Sequence, residues 1–281
     1  MIIKGSKSVL LVVMVFCLIV STVAAKPSAK SVASRIDAAI VEEVFSESDQ
    51  PAPRCDDETY LRRVWLDVVG DIPSPEEVTA FVLDPAKNKR RRVVRQLLEN
   101  PQYGQNWARY WRDVVFSRVQ EDRALLAVNA MEADLTTMMN NGVGWDEIAA
   151  EFITAQGDVK QNGATAIVMA QSGRTEETTA EMSRIFLGIQ IQCAQCHDHP
   201  YDRWKREQFH ELAAFFPRIG IRQNRTITSR TFEVYATDKF NNKKVKNNET
   251  RPTAEHFMPD LDDPSAKGTK TQPKFFLTST G

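Results

Sequence analysis

Two thiols three residues apart, followed at once by an imidazole, are the residues of this chain whose types and spacing could do chemistry. They stand in Cys193-Ala194-Gln195-Cys196-His197, continued by Asp198-His199-Pro200-Tyr201-Asp202-Arg203-Trp204. C-x-x-C-H is the attachment signal of c-type haem. In that reading Cys193 and Cys196 bond to the porphyrin vinyl groups and His197 ligates the iron. The opposite axial position is left to His210, Met182, Met169, Met258 or His256, or stays open. The same stretch admits a metal site without haem. Cys193, Cys196, His199 and His210 form a donor set of the kind zinc takes. Asp198 and Asp202 would then orient the imidazoles, and Arg203 would pair with Asp198 or with a haem propionate. A redox dithiol is a further option, although the strand-then-helix setting of thioredoxin-like sites is missing. The plainest alternative is a Cys193–Cys196 disulfide holding a turn. No catalytic residue emerges: there is no G-x-S-x-G, H-E-x-x-H or Walker sequence. The acid pairs Asp56/Asp57 and Glu76/Glu77 stand where helices start, as first-turn charges do.

Covalent haem and disulfides both depend on compartment. Lys4 and Lys7, the apolar run Val9 to Val20 and the small residues Ser21-Thr22-Val23-Ala24-Ala25 make a secretory signal, residues 1–25, with cleavage after Ala25. The run is shorter than the roughly 20 residues of a spanning helix. The expectation is therefore an exported protein, periplasmic or extracellular, with no membrane attachment after cleavage. Cys17 leaves with the signal. Cys55, Cys193 and Cys196 remain, too few for a disulfide scaffold. A formal net charge of −1 offers no basic excess for nucleic acid.

The elements that must position the Cys-His segment read as mainly α. Residues 26–34 are a flexible linker. Ile36, Ile40 and Val44 recur every four residues and predict a helix that Pro51-Ala52-Pro53 ends. Asp56 or Asp57 caps the next, which carries Tyr60, Val64, Trp65 and Val68 and closes at Gly70. Ser74-Pro75-Glu76-Glu77 opens a short helix to Leu83. Lys87 to Asn100 buries Val93, Val94, Leu97 and Leu98, with Lys89-Arg90-Arg91-Arg92 as a solvated end. Trp107, Tyr110 and Trp111 share one face of a helix over Gln102–Ser117, a core-packing pattern. Helices follow over about 122–140 and Trp145–Ala155, then a loop over 156–173. A helix from Thr175 to Ile191 delivers the chain into Cys193, and another, about 204–216, leaves it with Asp202 as cap. Ile185, Phe186, Ile189, Phe209 and Phe216 on these flanks would wall a haem pocket. Thr226 to Thr237 alternates as a strand or hairpin does. From Asn241 the chain is polar and reads as an extended, poorly ordered tail. The expected organisation is a helical domain over 35–218, then a small β-hairpin element and tail over 219–281, one module of a longer architecture.

The run Phe186-Leu187-Gly188-Ile189-Gln190-Ile191-Gln192-Cys193 through Trp204, continuing to Leu212-Ala213-Ala214-Phe215-Phe216, resembles the DUF1549 family, also called the planctomycete cytochrome c-like domain, PSCyt2. Ile36-Asp37, Pro51-Ala52-Pro53-Arg54, the stretch from Tyr60 to Asp67, the stretch from Gly70 to Val78, Tyr103-Gly104 and Trp107-Ala108 are similar too. The resemblance spans roughly residues 35–218. It implies an exported bacterial protein, of planctomycetes or relatives, in which the domain often stands between an N-terminal cytochrome c-like domain and a C-terminal DUF1553 domain. No earlier C-x-x-C-H occurs here, and the chain stops where the later domain would begin. A fragment, a split gene or a stand-alone version is expected. The leading expectation is a haem c electron-transfer module working with a redox partner or a DUF1553-type domain. The competing one is a non-catalytic structural or interaction domain with a Cys/His metal site or a disulfide. No substrate, reaction or oligomeric state follows.

Overall fold

A computed structural model describes residues 27–45, 49, 52–119, 121–224, 231–240 and 249–277. The segment expected to be a signal sequence, residues 1–25, lies outside the described residues. The chain divides into two units, Met1–Arg54 and Cys55–Gly281. In the first, α1 (Ala29–Val44) starts at the Ser28 side chain, which accepts the Ser31 N–H at 3.2 Å. It therefore takes in most of the segment expected to be a linker, because alanine-rich sequence favours helix. Its stripe of Val32, Ile36, Ile40 and Val44 is exposed.

The second unit opens with three short helices whose ends the sequence announces. In α2 (Asp57–Val69), Asp56 caps by accepting the Thr59 N–H at 2.7 Å, and Gly70 closes the helix. In α3 (Pro75–Leu83), Ser74 and Glu77 exchange the two bonds of a capping box. The basic run before the apolar face of α4 (Lys89–Leu98) is more than a solvated end. Lys89 and Arg90 reach the Asp57 carboxylate at 2.6 and 2.8 Å, Arg90 also takes the Cys55 carbonyl at 2.8 Å, and Arg92 pairs with Asp84. The run thus ties α4 to the start of α2.

α5 (Gln102–Phe116) packs along α6 (Val128–Asn140), which a 3₁₀ turn at Asp122–Ala127 precedes. The first core cluster forms around Ala108, Met131, Leu135, Met169 and Phe232, with α7 (Trp145–Thr154) contributing Ile148 and Phe152. The aromatic face of α5 meets it: the Trp111 and Trp145 rings lie 4.5 Å apart, and Trp145 stands 5.7 Å from Phe186. Tyr110, on the same face, is exposed.

Residues 156–173 are ordered rather than loop. β1 (Gly157–Asp158), a 3₁₀ turn at Gly163–Thr165 and the fully buried α8 (Ala166–Ala170) occupy them. The run Ala166-Ile167-Val168-Met169-Ala170 has no polar side chain to show to water. Gly163 brings the segment in: a Cβ there would stand 2.4 Å from the Met131 Cα, so only glycine allows this approach to α6.

The helix expected to run unbroken from 175 to 191 is α9 (Thr175–Met182), then a π-type turn over Ser183–Leu187, ended by Gly188 at φ 68°. Buried Glu181 lies at the entry to this turn. It takes Arg184 at 2.5 Å and Arg118 at 3.2 Å, while Arg184 also donates to the Val114 carbonyl at 3.0 Å. α10 (Arg206–Ala213) follows the Cys-His segment.

β2 (Ile219–Asn224) and β3 (Thr231–Ala236) pair antiparallel with Ile221 opposite Val234, and β1 lies on the other edge of β3. The hairpin thus begins before the expected span, since Ile219-Gly220-Ile221 supplies its first buried strand. Asp158 fastens the sheet through Thr231 at 3.0 Å and Asn224 at 2.9 Å. The expected tail is also structured where described. β4 (His256–Met258) and β5 (Thr269–Thr271) pair antiparallel, and buried Phe276 packs on Trp204 with ring centroids 4.9 Å apart. The chain is mainly α with small antiparallel β elements. Among the described residues no helix is long and apolar enough to cross a membrane.

Candidate functional site

Gly188 halts the π-type turn, and the chain re-coils as a 3₁₀ turn over Ile191–Gln195. Three residues per turn superpose side chains at i and i+3. Ile191 and Ala194 are such a pair, and both are wholly buried in the second core cluster with Trp204, Phe209, Leu212, Ala213 and Phe276. Cys193 lies on this turn and Cys196 caps its end, and both are exposed free thiols. The apolar pair therefore anchors the turn and leaves the thiol pair facing outward. Cys55 is a third free thiol, half-buried on the approach to α2.

His197 is exposed, and its Nδ1 lies 2.7 Å from the Asp198 carbonyl oxygen. A carbonyl only accepts, so Nδ1 carries the proton and the Nε2 lone pair is left free. The Asp198 carboxylate receives Lys205 Nζ at 2.7 Å and the Arg206 N–H at 3.1 Å. Those bonds, Lys205 first, hold Asp198 below the usual carboxylate range. Asp198 therefore caps α10 in place of Asp202, whose carboxylate accepts the neighbouring Arg203 N–H at 2.7 Å. Among the described residues Arg203 does not pair with Asp198. Its guanidinium lies over the Trp204 ring, 4.8 Å from the centroid. His199 accepts the Tyr201 N–H at 3.3 Å, and Tyr201 is 95% exposed at the loop tip.

His210 faces the inner side of the same turn. It is 1% exposed. Its Nε2 lies 3.0 Å from the Gln195 carbonyl and its Nδ1 lies 2.8 Å from His256 Nε2. Burial pushes His210 down to about 4, and burial lowers His256 as well. The zinc donor set is not assembled, because His210 is engaged beneath the turn while Cys193 and Cys196 face away from the core. Among the described residues no group of three or more His, Cys, Asp or Glu could hold a metal ion. Of the side chains considered for a sixth haem ligand, Met169 and Met182 are packed in the first core cluster, and His256 is taken by His210.

For haem the attachment atoms fit. Two accessible thiols lie three residues apart, and the adjacent ring has its Nδ1 engaged by a backbone carbonyl, the arrangement common to ligating histidines. The expected pocket walls are occupied elsewhere. Ile185 and Phe216 belong to the first core cluster, with Phe186 packed on it between Trp145 and Phe152. Phe209 is wholly buried in the second cluster, and Ile189 packs against that cluster. These side chains would therefore not wall a porphyrin held by the two thiols. Cavities of about 430 Å³ beside Trp65, Phe81 and Arg92 and about 460 Å³ beside Arg222 and Tyr235 open elsewhere.

Sequence reasoning missed the His210–His256 contact and the capping role of Asp198. The first had a visible signal: His210 stands among Phe209, Leu212 and Ala213, the apolar positions of its helix. Its partner 46 residues on in the chain had none.

A family model described as PSCyt2, Protein of unknown function (DUF1549), matches residues 35–220. No curated protein and no solved structure matches the chain.

Proposed function

Because this chain belongs to the PSCyt2 (DUF1549) family over residues 35–220, we propose that it is an exported cytochrome c-like module that carries haem c on the Cys193–Cys196–His197 turn and exchanges electrons with a partner. One observation carries the reading: both thiols are exposed on one turn, beside an imidazole whose free nitrogen is Nε2. Cys193 and Cys196 provide the two sulfur anchors. His197 offers Nε2 as the axial donor, and the Asp198 carbonyl fixes its ring and tautomer. Bound there, the haem supplies one-electron redox chemistry tuned by axial ligand and burial. An outward-facing turn leaves the group within reach of a partner, either a DUF1553-type domain or a separate redox protein. Export is supported by the basic, apolar and small-residue succession from Lys4 to Ala25.

The test is co-expression with a c-type maturation system followed by a pyridine haemochrome spectrum after denaturation. Haem retained by the native chain and lost in Cys193→Ala supports the reading. A chain that matures without haem overturns it. A second reading is favoured by the spacing and exposure of the two free thiols: a reversible Cys193–Cys196 disulfide. The two thiols would pass two electrons and two protons to a partner disulfide, which becomes a dithiol. Mass spectrometry of the haem-free chain, showing loss of two hydrogens on oxidation that Cys196→Ser abolishes, identifies that outcome.

A further inference from the structure

A groove of about 430 Å³ opens among α2, α3 and α4, and none of the residues that line it belongs to either core cluster. Its volume falls within the roughly 300–1,000 Å³ of small-molecule sites. Spacing of four residues builds its walls, because residues i and i+4 share one helix face. Leu61 and Trp65 are such a pair on α2, and Val93 and Leu97 are one on α4. Leu61, Leu97 and Phe81 of α3 are buried and make the floor. Gln96, exposed on α4, and Asn100, four residues on and just past the helix end, make a polar rim. Trp65, half-buried, is the ring that packing does not account for. Trp107 meets Tyr110, Trp111 meets Trp145, and Trp204 meets Phe276. Among the described residues Trp65 meets no ring, and its Nε1–H has no acceptor. Phe81, the other ring of the groove, is already covered by Tyr60 at 6.2 Å and by Lys89 at 5.2 Å.

The charged groups of the wall are engaged and balanced. Lys89 pairs with Asp57 at 2.6 Å and donates to the Phe81 and Val82 carbonyls. Arg92 pairs with Asp84, and Glu77 accepts the Ser74 N–H of the α3 cap at 2.7 Å. Two cations and two carboxylates thus line the groove, and it offers an ion no net charge. What remains for a ligand is uncharged. Trp65 Nε1–H donates. Asn100 Oδ1 already accepts the Gln102 N–H at 2.9 Å, which leaves its Nδ2 donors. The Gln96 carboxamide both donates and accepts, and it has no partner among the described residues.

We propose that this groove binds a neutral pyranose sugar, seated with an apolar ring face towards Trp65 and with hydroxyls bonded to Gln96 and Asn100. A pyranose presents C–H groups on a face and hydroxyls around its edge. The C–H groups suit the negative face of an indole. Each hydroxyl, like a carboxamide, both donates and accepts. A flat heteroaromatic base is best held between two side chains that stack on it, and only Trp65 is open here. An anionic sugar would meet no cation that is not already paired. The proposal does not rest on what the thiols carry.

The test is a titration of the full, isotope-labelled chain, followed through its indole N–H resonances. The Trp65 signal is the one missing from Trp65→Phe; if that variant does not fold, sequential assignment of the native chain identifies it. Methyl β-D-glucopyranoside, methyl β-D-galactopyranoside and methyl α-D-mannopyranoside are added separately to about 20 mM, with adenosine and glucuronate as the other arms. At least one methyl glycoside should shift the Trp65 signal to saturation with a Kd of about 1 mM, the order a ligand of that size reaches. The other indole signals should stay in place. Gln96→Leu, at an exposed position, should weaken that binding about five-fold, the scale of one hydrogen bond. No saturable shift with any of the three glycosides overturns the proposal, as does tighter binding of adenosine or glucuronate than of every glycoside. Glycoside binding that Gln96→Leu leaves unchanged overturns it too, since the rim would then not be reading the hydroxyls.

Discussion

At the scale of single residues, burial divides the four histidines into two roles. His197 and His199 are solvent-facing groups of the loop, whereas His210 and His256 are internal hydrogen-bonding groups. A histidine held near 4 when folded and near 6.5 when unfolded makes stability depend on pH in a defined window. Above the unfolded value both states are neutral and the contribution is fully present. As pH falls from 6.5 towards 4 the unfolded chain takes the proton and the folded chain does not, so stability is lost. Below about 4 the loss levels off. At about 1.4 kcal/mol per pKa unit, roughly 3 kcal/mol is at stake. Urea unfolding of native chain and His210→Gln at the two ends of this window measures it, and the variant should show a much smaller acid loss. Asp198 should matter to α10 rather than to the thiols. Asp198→Ala is expected to lower the urea midpoint while leaving alkylation of Cys193 unchanged.

At the scale of elements, the path into the site depends on one buried acid and one close approach. Glu181 is 3% exposed and held by Arg118 and Arg184. Removing one side of such a cluster leaves buried charge without its partner, so Glu181→Ala should cost about 3–5 kcal/mol in denaturant unfolding. Gly163→Ala should be disruptive for a steric reason, since its Cβ would meet backbone atoms of Ala130 and Met131 rather than movable side-chain ends. A lowered melting midpoint with α-helical circular dichroism retained is the expected signature. Helix ends were the most legible elements. Asp56, Ser74 and Glu77 announce caps through side-chain-to-backbone bonds made within one turn. The burial of Glu181 was not legible, because its partner Arg118 stands sixty-three positions away.

At the scale of the whole molecule, residues 55–281 close the second core cluster with a segment far along the chain. Phe276 covers Trp204, and Trp204 and Phe209 fill the space beneath the thiol turn. Phe276→Ala should cost about 3 kcal/mol or more, as truncation of a buried aromatic does. It should also speed limited proteolysis near the Cys-His loop, which would show that the C-terminal segment supports the site. Composition gave no hint of this, because a polar stretch with isolated aromatics matches a tail until its partner surface is known.

The sequence by itself determined the mainly helical class, the caps at Asp56 and Ser74, the family and the Cys-x-x-Cys-His spacing. Each of these is written in spacing a few residues long. Only the tertiary structure decided which way that site faces. Ile191 and Ala194 turn it outward by burying the opposite side, and the aromatic residues that might have walled a porphyrin are taken up by the two core clusters. The same packing set His210 against His256 and behind Gln195. Contacts between distant segments follow from which surfaces compete for burial, and local spacing carries no record of that competition.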